Sequence, residues 1–177
     1  AMLCASHSGE DVHVALAERM LHKAGCDEHH LMCGCHVPMR YSAFDLPAPA
    51  GASFDQRHNN CSGKHAGFLA YCRMTETPLD TYLDDGHPLQ RAIRARVAAM
   101  AGIDEATLAI GIDGCSAPNL ALPLARLARL YALLARPEAA DDARAEGAAL
   151  APAEALDRLL RAMTGHPRSE EHTSELQ

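Results

Sequence analysis

Cys61 and Lys64 stand three residues apart in NNCSGKHAGF, residues 59–68, and that spacing puts a thiol and an amine on one face of a helix start. It copies the Ser-x-x-Lys arrangement of acyl-enzymes with a thiol in place of the hydroxyl. A helix N-terminus is expected to lower the Cys61 pKa and favour its thiolate. Two chemistries fit: Cys61 as a nucleophile with Lys64 as its base, or both side chains as ligands to one metal ion. The lysine is conspicuous because only Lys23 and Lys64 occur among sixteen Lys and Arg residues. Arg cannot act as a base or ligand, whereas Lys can once it loses its proton. For a metal ligand that loss costs about 4.6 kcal/mol at pH 7 from the ordinary lysine value. A divalent ion flanked by thiolates can supply it, at the expense of affinity at low pH. Such a site needs a third ligand. Cys115, in the turn DGCSAPN, is a candidate, although a small packed thiol reads equally well there. The Gly-Lys pair is not a phosphate loop: His58 stands where a glycine is required, and His65 where Ser or Thr is required.

Two further stretches offer chemistry. Cys33, Cys35 and His36 in CGCH supply metal-ligating atoms, but Cys-x-Cys without a second pair points rather to a tight glycine-containing loop. Ser6-His7-Ser8 falls between an expected strand and a helix N-terminus. Ser8 suits the N-cap, with Asp11 at the third helical position, and Ser6 is left as a nucleophilic or substrate-binding hydroxyl.

The elements that position these residues alternate between short strands and helices. AMLCAS, residues 1–6, reads as a buried strand. Val12, Ala15, Leu16 and Met20 mark the inward face of a helix that Gly25 ends. Residues 37–58 read as a long loop, and a helix covers 62–74. Pro88 opens another, with Leu89, Ile93, Val97 and Met100 inward and Gly102 as its stop. LAIGID, 108–113, reads as a buried strand running into the Cys115 turn. A helix from Pro123 to Arg136 turns Leu124, Leu127, Tyr131 and Leu134 inward. An Ala/Asp/Glu-rich connector spans 137–151, and Pro152 starts a last helix to about Met163.

Composition limits the function. The chain has 177 residues, 48% of them hydrophobic, which suffices for one domain with a core. A formal net charge of −7 argues against nucleic acid or an anionic membrane as partner. No apolar run reaches membrane-spanning length. Seven cysteines, an odd number in a chain too large to need disulfide staples, suggest reduced thiols and a cytoplasmic location. The ends look unnatural. A domain rarely begins at an interior strand, and RSEEHTSELQ, 168–177, is polar and aperiodic and reads like the translation of a sequencing-library adaptor. The expected organisation is a domain over 1–167, truncated at both ends, and a non-native disordered tail over 168–177.

CASHSGED (4–11), CGCHVP (33–38), NNCSGKHAGFL (59–69), GHPLQ (86–90) and IDGCSAPN (112–119) occur in the order seen in the Rhizobium-type L-asparaginase family, asparaginase II, which the chain resembles over residues 2–167. The resemblance implies an α/β fragment of a serine β-lactamase-like fold, a central sheet covered by helices, assembled as a homodimer. It implies hydrolysis of L-asparagine to L-aspartate and ammonia, and a zinc site at Cys61, Lys64 and Cys115. The family uses two Ser–Lys pairs, and Ser6 matches the serine of the second. The first pair would precede Ala1 and the lysine partner of Ser6 would follow the tail, so this chain is expected to be inactive. Asp113 and Asn60 would touch the substrate amino acid. Two other readings stay open: a thiol-dependent hydrolase with Cys61 as nucleophile, and a non-catalytic zinc-binding domain.

Overall fold

The computed structural model describes residues 2–43, 45–145 and 150–165. The chain is an α/β protein in which helices predominate. Its helices are α1 (Asp11–Lys23), α2 (Met39–Ala43), α3 (Ser62–Met74), α4 (Pro88–Ala101), α5 (Leu124–Ala135), α6 (Glu138–Ala145) and α7 (Ala153–Thr164). Among the described residues the one sheet is an antiparallel pair, β1 (Ala109–Ile112) and β2 (Pro118–Ala121), with Ala109 opposite Ala121 and Ile112 opposite Pro118. The expected central sheet covered by helices is not present among these residues.

Helix α3 is the axis of the first core. Ala66, Leu69 and Cys72 on one side of it are fully buried against Leu21 of α1, Leu31, Tyr82 and Leu89. α1 packs along α3. Its buried stripe is His13, Ala17 and Leu21, one position round from the expected Val12, Ala15, Leu16 and Met20, and Val12 faces solvent. The start of α1 also differs from expectation. Glu10, not Ser8, occupies the N-cap: its N–H donates to His13 Nδ1 at 3.2 Å, and Ser8 Oγ donates to Glu10 Oε1 at 2.8 Å. Ser8 therefore steadies the cap residue instead of capping.

Residues 2–5 form turns and a bend rather than a buried strand, since neither of the described strands pairs with them. Met2 and Leu3 lie against α3 at Gly63 and Gly67, one helical turn apart. A Cβ on Gly63 would overlap the Met2 carbonyl oxygen, and one on Gly67 would overlap the Leu3 side chain. Glycine costs a helix about 1 kcal/mol relative to alanine, and here it is kept because the N-terminal segment needs the space.

α4 bridges to a second core of Leu133, Leu134, Ala140, Leu150 and Leu156, against which Ala99 and Met100 pack. His87 Nδ1 accepts the Leu89 N–H at 3.1 Å, Pro88 takes the first turn, and Gly102 at φ +66° ends α4. α5 gives that core Leu133 and Leu134, while Leu127, expected to point inward, is exposed. Leu124 is 80% exposed and Tyr131 lies open, against the expectation that both point inward. The 137–151 connector contains α6, whose Ala140 is buried. β1 falls close to its expected place but is exposed along its whole length, with Ile112 at 73%, because among the described residues neither a third strand nor a helix covers it. Residues 166–177, and with them the tail expected at 168–177, lie outside the described residues. No described helix is long and apolar enough to cross a membrane.

Candidate functional site

Asn59 builds the entry to α3. Its side chain is buried and makes three hydrogen bonds, all to backbone. Nδ2 donates to the carbonyls of Cys33 at 2.8 Å and Gly34 at 3.2 Å, and Oδ1 accepts the Cys61 N–H at 2.8 Å. One amide thus ties the CGCH loop to the first residues of α3. Gly34 adopts φ +73°, and the thiols of Cys33 and Cys35 donate to the carbonyls of Gln56 and Phe54. CGCH is accordingly a tight loop pinned to the 54–59 segment.

Cys61 occupies the N-cap of α3 and Lys64 follows on the same face. The β1–β2 turn closes over them. Asp113 N donates to Ala117 O and Ser116 N to Asp113 O, both at 2.9 Å, with Ser116 at φ +68°. This tight return drives Cys115, at the tip of the hairpin, inward until it is 3% exposed in the core around α3. Lys64 Nζ meets Asp113 Oδ2 at 3.2 Å, and Gly114 N donates to Asp113 Oδ1 at 2.6 Å. The two sulfurs of Cys61 and Cys115 and a carboxylate oxygen of Asp113 all lie within 4.8 Å of one another. Among the described residues this is the one such group of three or more His, Cys, Asp or Glu side chains. The structure therefore brings together Cys61, Lys64 and Cys115, and adds Asp113, which the sequence reading had set beside the ligands as a substrate contact.

The electrostatics differ from the helix-start argument. Burial pushes the Cys61 thiol up to about 11, with Lys64 opposing and the Cys115 and Asp113 charges adding to the rise. Desolvation of the thiolate is the largest cause of that rise. Burial also works against the charge on Lys64, but Cys115, Cys61 and Asp113 together outweigh it and raise its pKa. Burial would raise the Asp113 carboxyl, yet the hydrogen bonds from Lys64 and Gly114 hold it below its usual value. Without a metal the Lys64 ammonium is paired with the Asp113 carboxylate.

The donor set fits a zinc ion. Two thiols, an amine and a carboxylate converge on one point, and paired sulfur donors favour zinc over magnesium or calcium.

Ser6 lies on the same side of the α3 entry. Asn60 Nδ2 donates to Ser6 Oγ at 3.2 Å, and Asn60 O accepts the His7 N–H at 3.2 Å. His7, wholly buried, fixes this segment. Its Nδ1 accepts the Gly9 N–H at 3.2 Å, so its Nε2 carries the proton and donates to Ser62 Oγ at 2.9 Å; Ser62 in turn donates to Arg57 O at 2.9 Å. Tyr82 does similar work across the core. Its hydroxyl oxygen accepts the Met32 N–H at 2.8 Å and pairs with His65 Nδ1 at 2.7 Å.

Sequence reasoning passed over Asn59, His7, Ser62 and Tyr82. Their partners are backbone atoms or side chains up to 55 residues away, and the run NNCS was the only signal.

No curated relative matches the chain. The family model described as L-asparaginase II matches residues 1–173, nearly the whole length, and the chain belongs to the L-asparaginase II family.

Proposed function

We propose that the site around Cys61, Lys64, Cys115 and Ser6 is that of an L-asparagine amidohydrolase of the Ser/Lys, zinc-containing type. Membership of the family supports amide hydrolysis. The observation that carries the site is the approach of both sulfurs and the Asp113 carboxylate within 4.8 Å, beside the Asn60–Ser6 hydrogen bond.

Cys61, Lys64 and Cys115 would hold the zinc, which when bound supplies a Lewis acid with a position open to water or substrate. Lys64 gives up its proton to serve as a ligand and then no longer neutralises Asp113. The Asp113 carboxylate becomes the partner for the α-ammonium group of the amino acid. Asn60 presents a side-chain amide to the substrate and holds the Ser6 hydroxyl. Attack by a hydroxyl on the side-chain amide needs a base, and a neutral lysine is the expected one. Lys64 is taken up by the acidic cluster, and Lys23 sits in the last turn of α1. Ser6 thus has no lysine base among the residues of this chain, and its turnover is slow, since losing a nucleophile–base unit costs several orders of magnitude in rate.

The reading of Cys61 as a thiolate nucleophile is less well supported, because burial keeps that thiol protonated at neutral pH. We further read residues 1–167 as a single asparaginase II-type domain of serine β-lactamase-like fold that forms a homodimer in the cytoplasm. The exposed strand β1 is the kind of edge on which a larger sheet is built, and seven free thiols suit a reducing compartment.

Release of ammonia from L-asparagine by the purified 177-residue chain with one equivalent of zinc tests this reading. The expected rate is several orders of magnitude below ordinary enzymatic turnover. Ser6→Ala lowers whatever remains, and Cys61→Ser lowers it through loss of metal. Turnover in the usual enzymatic range, or activity untouched by Ser6→Ala, would overturn the assignment of Ser6.

A further inference from the structure

We propose that Cys61 and Cys115 form a reversible disulfide, so that the zinc site is also a redox site, which a metal ion and a sulfur–sulfur bond occupy in alternation. The alternation, though not the disulfide itself, rests on the reading of both thiols as zinc ligands.

Geometry carries it. Both cysteines are free thiols, and their sulfurs lie within 4.8 Å of each other although one belongs to a helix start and the other to a hairpin tip. A disulfide holds its sulfurs at about 2.05 Å, so the remaining approach is less than about 3 Å. The hairpin can supply that movement. β1 is exposed along its whole length and β2 alternates between half-buried and exposed, so packing does not hold the strands in place. The buried residues of the hairpin are Cys115 and Ala117, in the turn itself.

The position also suits a disulfide in charge. Two thiolates taken out of water need a cation to offset them, whereas a disulfide is neutral. Lys64 Nζ then stays on Asp113 Oδ2 at 3.2 Å. Sulfurs bonded to each other have no thiolate to offer a metal, so disulfide and zinc exclude one another.

The oxidant is a low-molecular-weight disulfide. Cys61, the half-buried thiol, loses its proton and attacks one sulfur of that molecule. The small S–S bond breaks, and the departing small thiolate takes up a proton. Cys115, 3% exposed, then attacks the Cys61 sulfur of the mixed disulfide, and the second small thiol leaves with the Cys115 proton. Two protein thiols are oxidised and one small disulfide is reduced to two thiols. In reducing surroundings the pair stays reduced and open to zinc.

Cys33 is the rival thiol. It is buried and close enough to feel the charges of both Cys61 and Cys115. Its thiol donates to Gln56 O at 3.4 Å, however, and its carbonyl accepts from Asn59 Nδ2 at 2.8 Å. The CGCH loop is therefore pinned where the hairpin is not.

The test equilibrates the metal-free 177-residue chain in buffers of graded reduced and oxidised glutathione. Acid quenching, alkylation and peptide mass spectrometry then map the bonds. The expected product is a Cys61–Cys115 disulfide that dithiothreitol reverses and that persists in Cys33→Ser. A bond to Cys33 in place of this one, a lasting glutathione adduct on Cys61, or two thiols that stay free throughout would each overturn the proposal. A second series holds free zinc at ten times its measured Kd. Zinc that binds only the reduced pair makes half-oxidation require conditions about tenfold more oxidising. An unmoved half-point would overturn the alternation and with it the ligand reading, while the metal-free series decides the disulfide separately.

Discussion

Lys64 Nζ sits 3.2 Å from Asp113 Oδ2, although 49 residues separate them, and the two sulfurs of Cys61 and Cys115 close the same space. The pair joins a helix start to a hairpin turn, so α3 and the β1–β2 loop hold each other through charge as well as packing. It also fixes the protonation state from which any metal must start.

Zinc binding by the chain is expected to release protons. Metal-free Cys61 titrates at about 11 and Lys64 is raised, so both are protonated at neutral pH and must lose their protons to ligate. Apparent affinity therefore rises with pH, by about tenfold per pH unit for each proton released. Cys61→Ser and Cys115→Ser each weaken binding by at least about 100-fold. Competition with a chelator between pH 6 and 8 measures both effects. Affinity independent of pH, or unchanged in either variant, contradicts the ligand assignment.

Gly63→Ala tests the seating of the N-terminal segment. Helix propensity alone would stabilise α3 by about 1 kcal/mol. The new Cβ would instead overlap the Met2 carbonyl, which is backbone and cannot move without shifting residues 2–5. The expected net effect is a loss of about 1–3 kcal/mol. Thermal unfolding shows this as a Tm lower by several degrees, and an unchanged or raised Tm would show that the segment packs elsewhere.

Tyr82→Phe removes one oxygen and orphans two groups, the Met32 N–H and His65 Nδ1. His65 Nε2 is already buried without a partner among the described protein atoms. Losing the hydroxyl therefore costs about 1–3 kcal/mol in denaturant unfolding, more than deleting an exposed hydroxyl would. A change below about 0.5 kcal/mol would mean that this hydroxyl does not bridge the 31–33 loop to α3.

The buried His7 makes the fold sensitive to acid. Burial, with His13, His36 and His58 adding, lowers its pKa from 6.5 to about 4, so the native state prefers the neutral ring. Its contribution is fully present above pH 6.5 and is lost as pH falls through about 4, by about 3 kcal/mol in all. Unfolding free energies at pH 7.5, 5.5 and 4.5 should fall in that order, and less steeply in His7→Gln. Equal slopes for the two proteins would remove His7 from this role.

Local rules made part of the molecule legible. Helix α3 runs over the expected 62–74, and α4 lies between the Pro88 and Gly102 signals, because propensity and caps act within a few residues. The Cys61–Lys64 face was likewise visible from spacing alone. Burial was not. The run Leu108–Asp113 has the composition of an inner strand, yet β1 is bare, since covering a strand depends on partners distant in sequence. Tyr131 and Leu124 failed for the same reason. The cap of α1 shifted from Ser8 to Glu10 because His13 offers its ring nitrogen to the Glu10 N–H, a pairing that the usual cap preferences omit. Asn59 could not be read at all, for its partners are carbonyls of a loop 25 and 26 residues away.

The most direct measurement of the central claim is an amide NMR titration of the zinc-loaded chain with L-asparagine, with D-asparagine and L-glutamine as controls. It reads recognition and does not depend on turnover. The expected result is saturable shifts at Ser6, Asn60 and Gly114 with L-asparagine, weaker ones with the controls, and at least about tenfold weaker binding in Asp113→Ala. Absence of shifts at these residues, or shifts that persist unchanged in Asp113→Ala, would contradict an L-asparagine site between the α3 entry and the β1–β2 turn.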